Sequence, residues 1–178
     1  QFVFQPAEEG KGGGEKMIED GLFKLFPADE VYGMHNMPGI RVGEFAVAPG
    51  PMMAARDNFE ILIQGRGSHA AMPHQGIDPV VVGSHIVLAL QTITSRNINP
   101  QESLVVSVTQ FHAGEAFNII PDTVTLKGTC RVFNSELQET LPDRIQQIVD
   151  GVSSTFGANS ELTYHKGYPA TINAVSQT

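Results

Sequence analysis

Glu8 and Glu9 stand side by side in Gln5-Pro6-Ala7-Glu8-Glu9-Gly10, straight after the apolar run Phe2-Val3-Phe4. Two carboxylates at the end of a buried strand must be solvated, paired or bound to a cation. The glycines of Lys11-Gly12-Gly13-Gly14 let the chain turn sharply behind them before a helix begins. The pair fits an active site, with one acid for proton transfer and one for a metal ion. It fits a solvated loop carrying two acids equally well. His35 ends a second apolar stretch, Glu30-Val31-Tyr32-Gly33-Met34-His35. On its own, such a histidine is more often a hydrogen-bonded residue than a ligand.

The elements that must position these groups read as strand, helix, strand. Residues 2–4 predict a buried strand and residues 15–25 a helix, with Met17, Ile18, Gly21, Leu22 and Leu25 near helical spacing. Pro27 ends the helix, and residues 30–35 predict a second strand. A βαβ unit of this size has a right-handed crossover and parallel strands. Functional groups gather at the carboxyl ends of parallel strands, which puts Glu8, Glu9 and His35 on one rim. Neighbouring strands lie about 4.8 Å apart, so Glu9 and His35 could ligate one ion.

Residues 36–56 are rich in Pro and Gly, with a short strand expected at 42–47 and a domain boundary near Ala54-Ala55. From Asp57 the pattern changes. Phe59, Ile61 and Ile63 alternate as a strand, Gly65-Arg66-Gly67-Ser68-His69 forms a turn-rich loop, and Asp78-Pro79 caps and opens a helix to about Thr94. Strands follow at 104–111 and within 119–133, then a helix from Ser135 or Glu136 to about Phe156, and a last strand at 161–164. The order βαββαβ is that of a ferredoxin-like sandwich, four antiparallel strands with two helices on one face.

Net charge is −8 with no basic run, which argues against nucleic acid or an anionic membrane as the main partner. No apolar stretch is long enough to span a bilayer. Cys130 is the only cysteine, so neither an internal disulfide nor a cysteine-based zinc site is available, consistent with a reducing, cytoplasmic compartment. The chain opens on Gln1 and reads as an internal piece of a longer protein.

Four segments occur in one order: Phe4-Gln5-Pro6-Ala7-Glu8-Glu9-Gly10, Gly33-Met34-His35-Asn36, Gly65-Arg66-Gly67-Ser68-His69-Ala70 with Pro73-His74, and Phe117-Asn118-Ile119-Ile120-Pro121-Asp122. Together they resemble the metal-dependent amidohydrolases that include hippurate hydrolase, N-acyl-amino-acid aminoacylases and auxin-conjugate hydrolases. The resemblance implies a partial α/β catalytic domain at 1–55, a lid or dimerisation domain at 56–170, and a return towards the catalytic domain at 171–178. It implies Glu8 as the general base acting on metal-bound water, with Glu9 and His35 as metal ligands. His69 would reach the partner subunit's active site and stabilise the oxyanion, and Asn118 and Arg131 would hold the substrate's carboxylate. The implied cofactor is a divalent metal, zinc or alternatively manganese, cobalt or nickel. The implied substrate is an N-acyl amino acid, and the assembly a homodimer through the lid.

The family pattern also has a Cys-Gly-His-Asp-x-His type segment and a further ligand histidine, and neither stands in this sequence. The segment alone is therefore expected to be inactive. Taken from the residues alone, His69 also reads as a turn histidine, Asn118 as a turn residue and Arg131 as a surface ion-pair partner. His74 would shape the loop beside His69, His85 is structural, and His112 and His165 receive no role. Cys130 reads as a small buried side chain, and Lys11 lacks the Gly-Lys-Ser/Thr ending of a phosphate loop. A second reading of the whole is a non-catalytic association module whose sandwich dimerises.

Overall fold

Alternation organises the larger part of the chain. In β2, Ala55–Gln64, the side chains of Ala55, Asp57, Phe59, Ile61 and Ile63 are buried while Arg56, Asn58 and Gln64 are exposed. β6, Thr123–Val132, turns Val124, Leu126, Cys130 and Val132 the same way. This is the period of strands with one covered face. The computed structural model describes residues 1–8 and 12–174, which divide into the units Gln1–Phe45 and Ala46–Thr178.

In the larger unit β4 (Leu104–Ala113) and β7 (Asn159–His165) complete a sheet of order β4-β6-β2-β7, with every neighbouring pair antiparallel. Helices α3 (Pro79–Thr92) and α4 (Ser135–Phe156) cover its inner face, where Val82, Ile86, Leu90, Leu141, Ile145 and Val149 meet the strand residues. The result is the predicted four-stranded sandwich. Asp78 caps α3, accepting from the Val80 N–H at 2.9 Å, with Pro79 in the first turn. The helix runs on into a single π turn, Ile93–Asn97.

Shorter strands tie the loops. β3 (Ser68–His69) pairs with β5 (Ile119–Ile120), so the turn-rich loop of the sequence is partly a ladder. β1 (Gly50–Met53) pairs antiparallel with β8 (Thr171–Asn173), laying the segment that enters the sandwich beside the one that leaves it. The strand expected at 42–47 is not formed, and β1 lies a few residues further on.

The smaller unit departs from its expected form. Its helix is broken into α1 (Gly13–Glu19) and α2 (Leu22–Leu25), since the chain leaves helical geometry at Gly21, φ 95°. Residues 2–4 and 30–35 form no strands; Phe2, Phe4, Tyr32 and Met34 are exposed. The βαβ unit is thus absent among the described residues. A buried parallel strand needs ladder partners and a covering face, and two short strands with a two-turn helix supply too little of either. Among the described residues no helix is long and apolar enough to cross a membrane.

Candidate functional site

His69 is placed by backbone rather than by side-chain packing. It lies opposite Ile119 in the β3–β5 ladder, and the next residue, Ala70, donates its N–H to the Asn118 carbonyl at 2.9 Å. The ladder therefore brings His69 and Asn118 together, residues 49 positions apart in the sequence. The preceding loop is held by Asp122, whose carboxylate accepts from the Gly67 N–H at 2.8 Å and whose carbonyl accepts from the Gly65 N–H at 2.8 Å. Only glycine fits at 65, where a Cβ would stand 2.2 Å from the Ile77 carbonyl oxygen.

The protonation of the two candidate histidines follows from their partners. The Ala71 N–H donates to His69 Nδ1 at 3.1 Å, which makes Nδ1 an acceptor and leaves the proton of the neutral ring on Nε2. His69 is exposed, so this ring presents a donor to its surroundings. His35 is the reverse. Its Nδ1 lies 2.6 Å from the Asn36 carbonyl, an oxygen that can only accept, so Nδ1 donates and, in the neutral ring, Nε2 keeps the lone pair. As neutral rings the two are opposite tautomers, His69 with its N–H at Nε2 and His35 with its lone pair there.

The Glu8 carboxylate, expected beside His35, is not assembled with it into a site. Glu8 and His35 are both exposed, and no hydrogen bond or ion pair joins them. Glu9 lies outside the described residues. Among the described residues no three His, Cys, Asp or Glu side chains are grouped to hold one ion, so these residues do not by themselves fit a metal centre.

Arg131 stands at the other end of the sandwich from His69. β6 follows β5 closely at Thr123 and reaches Arg131 about eight strand steps later, roughly 26 Å away at about 3.3 Å per residue. Arg131 Nη1 donates to Thr129 Oγ1 and, at 2.9 Å, to the Cys130 carbonyl. The structure thus groups His69 with Asn118 and sets Arg131 apart from both.

Beneath Arg131 lies a polar cluster that the sequence reading passed over. Asp57 is 1% exposed, and its Oδ1 accepts from Gln138 Nε2 and from the Gly167 N–H, both at 2.8 Å, while Oδ2 accepts from Tyr164 Oη at 2.7 Å. One side chain thereby joins β2, α4, β7 and the segment leaving the sandwich. A Cβ on Gly167 would lie 1.8 Å from the Arg56 carbonyl oxygen, so this crossing also requires glycine. Burial, and next the hydrogen bond to Asp57, hold the Tyr164 hydroxyl above the usual phenol range. Burial pushes the neighbouring Cys130 thiol up to about 11. The signal was available: alternation read back from Phe59 puts an acid at an inward position, where a carboxylate survives only if its oxygens are satisfied.

Comparison with known proteins locates this arrangement. Residues 56–157 match the model of the peptidase dimerisation domain of the M20 type. The chain is 42% identical over 173 residues to an N-acetyl-L-cysteine deacetylase of Bacillus subtilis, covering 97% of this chain and 41% of that protein. It is 42% identical over 172 residues to the hippurate hydrolase of Campylobacter jejuni, covering 97% and 45%. The crystal structure of a dinuclear metal binding peptidase of the M20 family from Bacillus subtilis superposes with a TM-score of 0.75 at 32% identity, covering 98% of this chain and 43% of that one. The chain therefore spans less than half the length of these relatives.

Proposed function

Because this chain belongs to the M20 peptidase family through its dimerisation domain, we propose that it is the lid-bearing segment of a dimeric amidohydrolase that cleaves N-acyl amino acids. The observation that carries the reading is the opposite tautomers that their partners favour in the two histidines. His69, with its proton on Nε2, offers the donor that a tetrahedral oxyanion needs. His35, with its proton on Nδ1, offers the lone pair that a divalent cation needs.

The remaining roles belong to the same reading. Glu8 acts as general base, Glu9 and His35 are two of the ligands of a divalent ion, and Asn118 and Arg131 meet the substrate's carboxylate. Zinc, manganese, cobalt and nickel all suit carboxylate and imidazole donors. The Cys-Gly-His-Asp-x-His type segment and the further ligand histidine of the family pattern do not stand in this sequence, so the activity is that of the whole protein; the one cysteine of this chain, free and buried, is in keeping with a cytoplasmic location. The separation of His69 and Asn118 from Arg131 supports a dimer. Groups at opposite ends of one sheet cannot converge on one small amino-acid derivative, whereas two sandwiches can supply one end each.

β4 suits the association. It is an edge of the sheet, exposing Val105 and Phe111, and the nearby α3 exposes Val81 and Leu88. Apolar edge strands invite pairing with another chain. The full-length protein, supplied with each of the four metals, is expected to hydrolyse an N-acetyl amino acid or hippurate. Failure on every combination contradicts the reading.

A second reading is favoured by one observation: the sandwich core is complete, while the described residues gather no metal site. On that reading residues 57–168 serve association alone. Calorimetric titration of the full-length protein with zinc separates the two. Stoichiometric binding supports the hydrolase and absence of binding supports the module.

A further inference from the structure

Arg56 and Arg131 stand directly opposite each other in the antiparallel β2–β6 register. Both lie on the face away from the helices, because the alternate positions Ala55, Asp57, Cys130 and Val132 are the buried ones. Side chains so paired have Cβ atoms about 5 Å apart, and like charges directly opposite one another are unfavourable. Among the described residues neither guanidinium has a carboxylate partner; the cross-strand pair on this face is Lys127–Glu60, at 2.8 Å.

Arg131 is held in place from below. Arg131 Nη1 is tied to Thr129 Oγ1, which itself donates to the Asp57 carbonyl at 2.8 Å. The Asp57 carboxylate and the Gly167 crossing fix that end of β2 in turn. A polar groove of about 290 Å³ lies further along the same face, lined in part by Asn58, Glu60, Gln110, Lys127, Thr129 and His165 and by neither arginine. Two guanidinium groups without a carboxylate partner make a site for an anion, and arginine's planar fork favours a carboxylate.

We propose that Arg56 joins Arg131 in a two-guanidinium clamp on the substrate's free carboxylate, and that Arg56 sets the preference for acids over neutral amides. The inference rests on the reading that Arg131 meets this carboxylate. It adds Arg56 as a second specificity-determining residue and gives the reason why two arginines face each other there.

The test uses the full-length enzyme with an N-acetyl amino acid and with its carboxamide. R56Q is expected to raise KM for the free acid about tenfold, the effect of one lost charge-assisted hydrogen bond, with kcat unchanged and no change on the carboxamide. R56K, which keeps the charge without the fork, recovers part of the loss. An unchanged KM in R56Q beside a raised KM in R131Q overturns the clamp and leaves the role of Arg131 standing. No effect in either variant overturns both. Equal losses on acid and carboxamide also overturn the clamp, since they reduce Arg56 to a structural residue. If the wild type turns over neither compound, the proposed function fails, and the clamp is decided by NMR of the arginine Nε–Hε groups on titration with the N-acetyl amino acid. Saturable movement of both Arg56 and Arg131 supports it, and a stationary Arg56 overturns it.

Discussion

Replacing Asp57 by alanine removes a buried acceptor that three donors share. Gln138 Nε2, the Gly167 N–H and Tyr164 Oη all point at its carboxylate, at 2.7 to 2.8 Å. A buried donor left without a partner costs about 1–3 kcal/mol; Gln138 is buried and bears this in full, Tyr164 is half-buried and bears part of it, and Gly167 is exposed and regains water. D57A is therefore expected to destabilise the sandwich by about 3 kcal/mol, at the upper end of the usual range for single substitutions. Asparagine is the informative control. Its oxygen can replace Oδ1 for Gln138 and Gly167, while its amide donates to Tyr164 Oη, which turns its own proton towards Cys130. D57N then loses about 1–2 kcal/mol, chiefly the charge assistance. Urea unfolding at pH 7, followed by far-ultraviolet circular dichroism, measures both. A D57A loss below about 1 kcal/mol, or equal losses in the two variants, refutes the reasoning.

Two further predictions follow from the same cluster. G167A places a Cβ 1.8 Å from the Arg56 carbonyl and is expected to lower the unfolding midpoint, whereas G151A, with nothing within 4 Å of its Cβ, leaves it unchanged or raises it. Cys130 and Tyr164 are neutral when protonated, and the fold raises the pKa of both, so the folded chain binds more protons than the unfolded one in alkali. For Cys130 the stabilisation is full below the usual 9.0 and is lost as pH rises through about 11. The slope is at most about 1.4 kcal/mol per pH unit for each group. Stability measured from pH 8 to 11 should fall in the wild type and fall less steeply in C130A; parallel slopes would count against the burial of the thiol.

The sandwich was legible in the sequence because its determinants are local and periodic. Phe59, Ile61 and Ile63 declare a half-covered strand, and Asp78-Pro79 declares a helix start without reference to anything distant. The pairing of His69 beside Asn118 depends on a two-residue ladder between distant loops, which periodicity does not register. Asp57 was missed because a strand pattern was read from its apolar members only, and its partners Gln138, Tyr164 and Gly167 are scattered over 110 positions. The expected strands at 2–4 and 30–35 carry apolar side chains, but their identity as strands depends on neighbours that the described residues do not supply. Helix α1–α2 broke where Gly21 had been counted with the apolar face.

The central claim is that one sandwich serves the active site of its partner. The most direct measurement mixes two inactive full-length variants, E8Q and H69A, after allowing the subunits to exchange. E8Q removes the base of its own site, and H69A removes the donor that its lid offers to the other subunit. In a two-fold dimer each mixed pair then holds one site with both Glu8 and His69 intact, and an equal mixture recovers about a quarter of the wild-type rate of N-acetyl amino acid hydrolysis. If both parents are inactive and the mixture stays so despite demonstrated exchange, His69 acts within its own subunit, and the account of a lid that reaches across is wrong.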